Sequence, residues 1–167
     1  MLRKMARAAT FSCVVMFAGD VARQAIVQRG LTRETWDYKS SVRFAVVGAT
    51  LHGPYFLVGF GLMDKLPFLD RVKSQMGKAL VKTCVTQVTI YPLFIGLFFA
   101  YMALLEGVPL AAKKKPAMDT MLHGAVFWPI ANTVNFRFVP SPYRAYYAAG
   151  AGVVWNTYVS YLNARKQ

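Results

Sequence analysis

The sequence predicts an all-α fold: a polytopic integral membrane helix bundle with about four to five membrane-embedded helices. Three observations predict it. Hydrophobic residues make up 56% of the 167-residue chain and charged residues only 16%, against about 25% charged in an average soluble domain. The mean hydropathy is +0.34. No charge falls between Phe44 and Met63, between Thr83 and Leu105, or between Ala145 and Ala164. Each window reaches the roughly 20 residues that cross a hydrocarbon core as a helix. Such windows leave little room for a water-soluble core, so residues 1–167 read as a single membrane domain.

The first helix, about residues 6–28, is the weakest span because Asp20 and Arg23 interrupt it. With Gln24 these two share one helical face. They form either an ion pair near the membrane surface or a polar site facing other helices. The second helix, about 39–63, carries Ala45, Ala49 and Gly53 every four residues, a stripe that lets another helix approach closely. Pro54 should kink it, since its ring removes a backbone bond, and Asp64-Lys65-Leu66-Pro67 ends it. A short connection, Leu69 to Met76, leads to a third helix at about 77–105. There Thr83, Thr86 and Gln87 form a polar stripe, extended by Tyr91 before Pro92. The fourth helix, about 117–138, stops at Val139-Pro140. Ser141 then suits an N-cap and Pro142 a first helical position. The last helix runs over about 142–163, with Ala148 and Gly152 as a close-packing face.

The net charge of +13 sits almost entirely in the connections. Basic flanks beside membrane helices favour anionic headgroups such as cardiolipin, and no nucleic-acid partner is expected. Lys113, Lys114 and Lys115 read as a headgroup-facing turn and a candidate lipid or anion contact. Both sides of nearly every span are basic, so the charge distribution sets no orientation. Cys13 and Cys84 lie in apolar segments and are expected as buried free thiols. The N-terminus is basic, contains Ser and Thr, and has no acid before Asp20. That composition suits an uncleaved mitochondrial signal.

No spacing suggests a nucleophile, a metal site or a phosphate loop, so neither catalysis nor a cofactor is expected. His52 and His123 read as helix-packing residues. Arg144 is the most informative single residue. It lies in the first turn of a helix, where the macrodipole disfavours a cation. It therefore needs a lipid phosphate, a carboxylate such as Asp20 or Asp64, or carbonyls freed by Pro140 and Pro142. Asn132 and Asn135 share a face and could bond across to a neighbouring helix. Trp128 and Trp155 read as interface or packing aromatics.

Trp128-Pro129, Asn135-Phe136, Val139-Pro140, Arg144 and Trp155-Asn156 with Tyr158 and Ser160 fill a spaced pattern of rare residues. The pattern resembles the signature of the Mpv-seventeen / twenty-two-kilodalton peroxisomal membrane protein family. Upstream, Gly19-Asp20 with Gln24, then Arg43, Gly48, Gly53-Pro54 and Asp64, then Lys82, Gln87 and Pro92 resemble the same family in register. The chain departs from it at Gly59-Phe60 (usually Trp-Tyr), at Thr86 (usually Asp before the Gln) and at His123-Gly124 (usually Asn-Tyr). The resemblance implies about four membrane-spanning helices, residence in the mitochondrial inner membrane or, less readily, the peroxisomal membrane, and no enzymatic activity. It leaves two roles open. One is a contribution to a small-solute channel, with the three polar stripes converging on one interior. The other is an accessory subunit of a large inner-membrane complex, a respiratory complex or ATP synthase, whose partners are other membrane subunits or further copies of itself.

Overall fold

The computed structural model describes residues 2–164, with side chains through Tyr158. Among them the regular structure is helical: α1 (Leu2–Val27), α2 (Tyr38–Val47), α3 (Gly53–Met63), α4 (Gln75–Val88), α5 (Ile90–Glu106), α6 (Lys114–Phe138) and α7 (Arg144–Ala164). Among the described residues, three stretches are long and apolar enough to cross a membrane: Leu2–Val27, Tyr38–Met63 and Gln75–Glu106. The first helix qualifies despite Asp20 and Arg23. Ser160 of the family pattern lies outside the described side chains.

The chain folds as two compact units, one of Met1–Pro54 with Ala149–Gln167, the other of Tyr55–Ala148. In the first unit α1 packs along α2 and the turn after it. The second helix is not simply kinked at Pro54. Residues Gly48–His52 form a π-helical turn, in which Gly53 donates to the Gly48 carbonyl five residues back. That wider turn absorbs the proline, and it shifts the close-packing stripe. Gly48 and Gly53 lie against the α1 backbone, and a Cβ on them would come within 2.5 Å of the Ser12 carbonyl and 2.6 Å of the Ala8 carbonyl. The stripe expected at Ala45, Ala49 and Gly53 is therefore replaced by glycines five apart, because one π turn changes the period from four. Gly19 of α1 accommodates Val153 of α7 in the same way, with its absent Cβ 3.3 Å from a valine methyl.

In the second unit the core gathers Phe56, Phe60, Met63, Ala79, Ile90 and Phe136, closed by Ala145 and Ala148. The expected third helix is two helices. Thr89 breaks from helical geometry (φ −122°, ψ −73°), three residues before Pro92, whose ring disfavours continuous helix over the preceding turn. The connection expected at 69–76 begins in a 3-10 turn at Pro67–Arg71 and ends at Ser74, which caps α4 (from Gln75) by accepting from Gly77 at 2.8 Å. Gly107 ends α5 in the left-handed conformation (φ 68°), which glycine adopts at no steric cost. Lys113 closes a 3-10 turn, and Lys114 and Lys115 open α6 rather than lying in a loop. Thr83 meets Thr133 and Tyr91 meets Thr120, so the α4–α5 stretch and α6 run antiparallel. Pro129 sits inside α6 without ending it.

Candidate functional site

Three polar constellations stand out, one in the first unit and two in the second. In the first, Asp20 is 1% exposed. Its carboxylate accepts from Arg23 Nε and Nη2 at 3.0 and 2.7 Å, Gln24 Nε2 at 2.7 Å, Ser41 Oγ at 2.9 Å and Ser40 Oγ at 3.3 Å. Gln24 also bonds both backbone groups of Asp37, accepting from its N–H at 2.9 Å and donating to its carbonyl at 3.0 Å. Asp37 in turn caps α2 through the Ser40 N–H, and Trp36 Nε1 donates to Ser41 Oγ. The Asp20, Arg23 and Gln24 face is thus a polar site turned toward another helix, sealing the α1–α2 hairpin. Trp36, Asp37, Ser40 and Ser41 are the members that sequence reasoning missed. The signal was there in Asp37-x-x-Ser40-Ser41, a helix start with hydroxyls on its first turn.

The second constellation centres on Asp64, just past α3. Its Oδ1 accepts from Lys82 Nζ and Arg144 Nη1, each at 2.5 Å, and its Oδ2 from Ser141 Oγ at 2.5 Å. Burial alone would raise this carboxyl. Hydrogen bonds from Lys82, Ser141 and Arg144, with the Arg144 charge, outweigh that and hold it down at about 2. Ser141 therefore does not cap the last helix. Ser141–Tyr143 form a 3-10 turn and α7 begins at Arg144, because the serine hydroxyl is spent on Asp64. Of the partners open to Arg144, the structure shows Asp64 and the Val139 carbonyl, reached by Nε at 3.1 Å. Its guanidinium and the Lys82 amine also lie over the Phe136 ring. Asn135, fully buried, donates to the Arg144 carbonyl at 3.2 Å. The Val139-Pro140 break is thereby held at both ends.

The third constellation is the seam where α4 packs along α6. Thr83 and Thr133 hydroxyls bond at 3.2 Å, and Thr133 donates to the Pro129 carbonyl at 2.8 Å. Among the described residues, the buried side-chain polar atoms without a hydrogen-bond partner are Thr86 Oγ1, Gln87 Oε1 and Asn135 Oδ1 here, and Arg43 Nε in the first unit.

Other expected residues fall as follows. Lys113 pairs with Glu106, which leaves exposed Lys114 and Lys115 as the basic turn's open charges. Cys13 is half-buried and Cys84 exposed, so both thiols are free but neither is buried as expected. His52 is buried beside Ser12, with Oγ 3.2 Å from Nδ1. His123 bonds the Asp119 carbonyl on an exposed face of its own helix and is not a packing residue. Trp128 packs on Tyr91, and Trp155 is buried beside Tyr158. Gly124 makes room for the Tyr91 hydroxyl, which would lie 1.9 Å from a Cβ there.

A model of the Mpv17 / PMP22 family matches residues 103–160, the stretch that holds Trp128-Pro129, Asn135, Arg144 and Trp155. The chain is 31% identical to PXMP2/4 family protein 4 of Dictyostelium discoideum, over 77% of this chain and 70% of that protein. The chain belongs to the Mpv17 / PMP22 family. It is also 28% identical to protein sym-1 of Neurospora crassa, over 98% of this chain and 94% of the relative. The mitochondrial inner membrane protein Mpv17 of Drosophila melanogaster is 28% identical over 89% of each chain. With such Mpv17 and SYM1 relatives it is an integral protein of the mitochondrial inner membrane. No solved structure matches it significantly. The family's spaced residues have identifiable work here. Asp20 and Gln24 seal a hairpin, Gly53 admits α1, Pro54 follows the π turn, and Pro92 follows the α4–α5 break. Asn135, Phe136, Pro140 and Arg144 hold the entry to α7.

Proposed function

We propose that this protein is a non-enzymatic contributor to small-solute conduction across its membrane. One observation carries the reading: Thr86 Oγ1, Gln87 Oε1 and Asn135 Oδ1 are buried and unpaired along α4 and α6. An unpaired buried polar atom costs about 1–3 kcal/mol. Polar side chains in membranes turn toward the bundle interior or a water-filled path, and a path that carries polar solutes supplies the missing partners. The Ser12–His52 pair does not favour a nucleophile, since both residues are buried against packed helices. The test is solute flux into liposomes containing the purified protein. Flux above empty vesicles is expected, and its absence sinks the reading.

A second reading, an accessory subunit of a large inner-membrane assembly, draws on Gly96 and Gly150. Both are exposed on helix faces with no atom within 4 Å of an added Cβ, so another helix could approach closely there. Native electrophoresis of gently solubilised membranes separates the two. Migration only as a small free species rules the subunit reading out.

A further inference from the structure

We propose that the end of the second unit around the Pro67–Arg71 turn binds an anionic phospholipid with two headgroup phosphates, of the cardiolipin type. The lysine run at Lys113–Lys115 pointed to such a contact in the sequence. The open cations are instead concentrated at the opposite end of the α4–α6 pair.

The two ends differ in charge. Residues 64–82 and 137–144 carry seven cations against two acids, and residues 106–119 carry three against two. At the first end Asp64 is taken up by Lys82 and Arg144. Lys65, Arg71, Lys73, Lys78 and Arg137 form no ion pair among the described residues, and Asp70 is the one acid left beside them in the chain. At the second end Lys113 holds Glu106, which leaves two cations, Lys114 and Lys115, and one acid, Asp119.

Four of the open cations fall into two pairs. Val72 is extended (φ −90°, ψ 109°), which places Arg71 and Lys73 on one side of the chain. Both are exposed. Lys78 lies one turn before Lys82 on the same face of α4. Thr83 meets Thr133 across the antiparallel seam, which brings Arg137 of α6 level with that turn. Two phosphates joined through one headgroup can engage both pairs, and the second contact is then intramolecular. The connection lies between the spans that end at Met63 and begin at Gln75, where a lipid headgroup lies. Phe68, Met76, Phe138 and Tyr143 are exposed at the same end. Aromatics gather at the membrane–water interface, and these four give acyl chains an apolar surface beside the cations.

The experiment uses the full chain in phosphatidylcholine nanodiscs, with cardiolipin or phosphatidylglycerol added at equal phosphate. Thermal unfolding reads stabilisation, and native mass spectrometry reads the lipid retained. Cardiolipin is expected to raise the unfolding temperature by several degrees and to stay bound, and phosphatidylglycerol to do less of both. Arg71→Glu with Lys73→Glu is expected to abolish the shift, while Lys114→Glu with Lys115→Glu keeps it. Should the first double variant fail to fold, Lys73→Gln with Arg137→Gln removes one cation from each pair and is expected to weaken the shift. Absence of a cardiolipin shift in the wild type overturns the proposal. Equal shifts from the two lipids overturn the two-phosphate headgroup. A shift that survives loss of Arg71 and Lys73, or that falls equally with Lys114 and Lys115, overturns the place of the site.

Discussion

The Asp20 cluster and the α4–α6 seam both bury polar side chains among apolar helices, yet they are completed differently. Around Asp20 the carboxylate collects Arg23, Gln24, Ser40 and Ser41, and Gln24 uses both ends of its amide. Along the seam Thr86, Gln87 and Asn135 each keep an unpaired oxygen. A charge in a low-dielectric interior is too expensive to leave uncompensated. A neutral hydroxyl or amide oxygen costs only about 1–3 kcal/mol when left open. The sealed cluster is therefore architecture, and the open one is where function is to be sought.

The largest expected effect comes from breaking the seal. Asp20→Ala strands Arg23, Gln24 and two serines, and should cost about 3–5 kcal/mol, read as a large drop in unfolding temperature in detergent. An unchanged melt would deny the cluster its role in closing the α1–α2 hairpin. Next comes the close approach in the same unit. Gly48→Ala or Gly53→Ala drives a methyl into the α1 backbone, and should cost about 1–3 kcal/mol as overpacking. Alanine at Gly61, whose Cβ position is open, serves as the control.

Asp64 gives a smaller effect with a pH signature. Its folded pKa is depressed from 3.8 to about 2. Its contribution is therefore fully present above about pH 4 and is lost as pH falls through about 2. The residue is partly exposed, so screening leaves roughly 1 kcal/mol. Asp64→Asn should flatten the melting temperature across that window, and a variant that still shows the same acid slope would place the slope elsewhere.

Much of this was legible in the sequence. Asp20 and Gln24 stood out by helical spacing, and Arg144 by the need of a cation at a helix start for a partner. The π turn was not legible. A small-xxx-small stripe assumes a period of four, and Ala45, Ala49 and Gly53 satisfied it while Gly48 and Gly53 made the contact. The α4–α5 break falls at Thr89, ahead of the Pro92 that causes it, because a proline disturbs the turn before it. Ser141 fitted an N-cap by type and position, and only the Asp64 carboxylate, 77 residues away, redirected its hydroxyl. The open oxygens could not be read at all, since a missing partner is a property of the packed structure.

The smallest expected effect on stability belongs to Thr86→Val, which removes an unpaired hydroxyl at nearly constant shape. Its cost should stay within about 0.5 kcal/mol of zero or become a gain. This variant also tests the central claim most directly, with unfolding temperature and solute flux measured on the same preparation. The expected result is an unfolding temperature equal to or above the wild type, with solute flux several-fold lower. A lower unfolding temperature with unchanged flux would contradict the account and make Thr86 a packing residue.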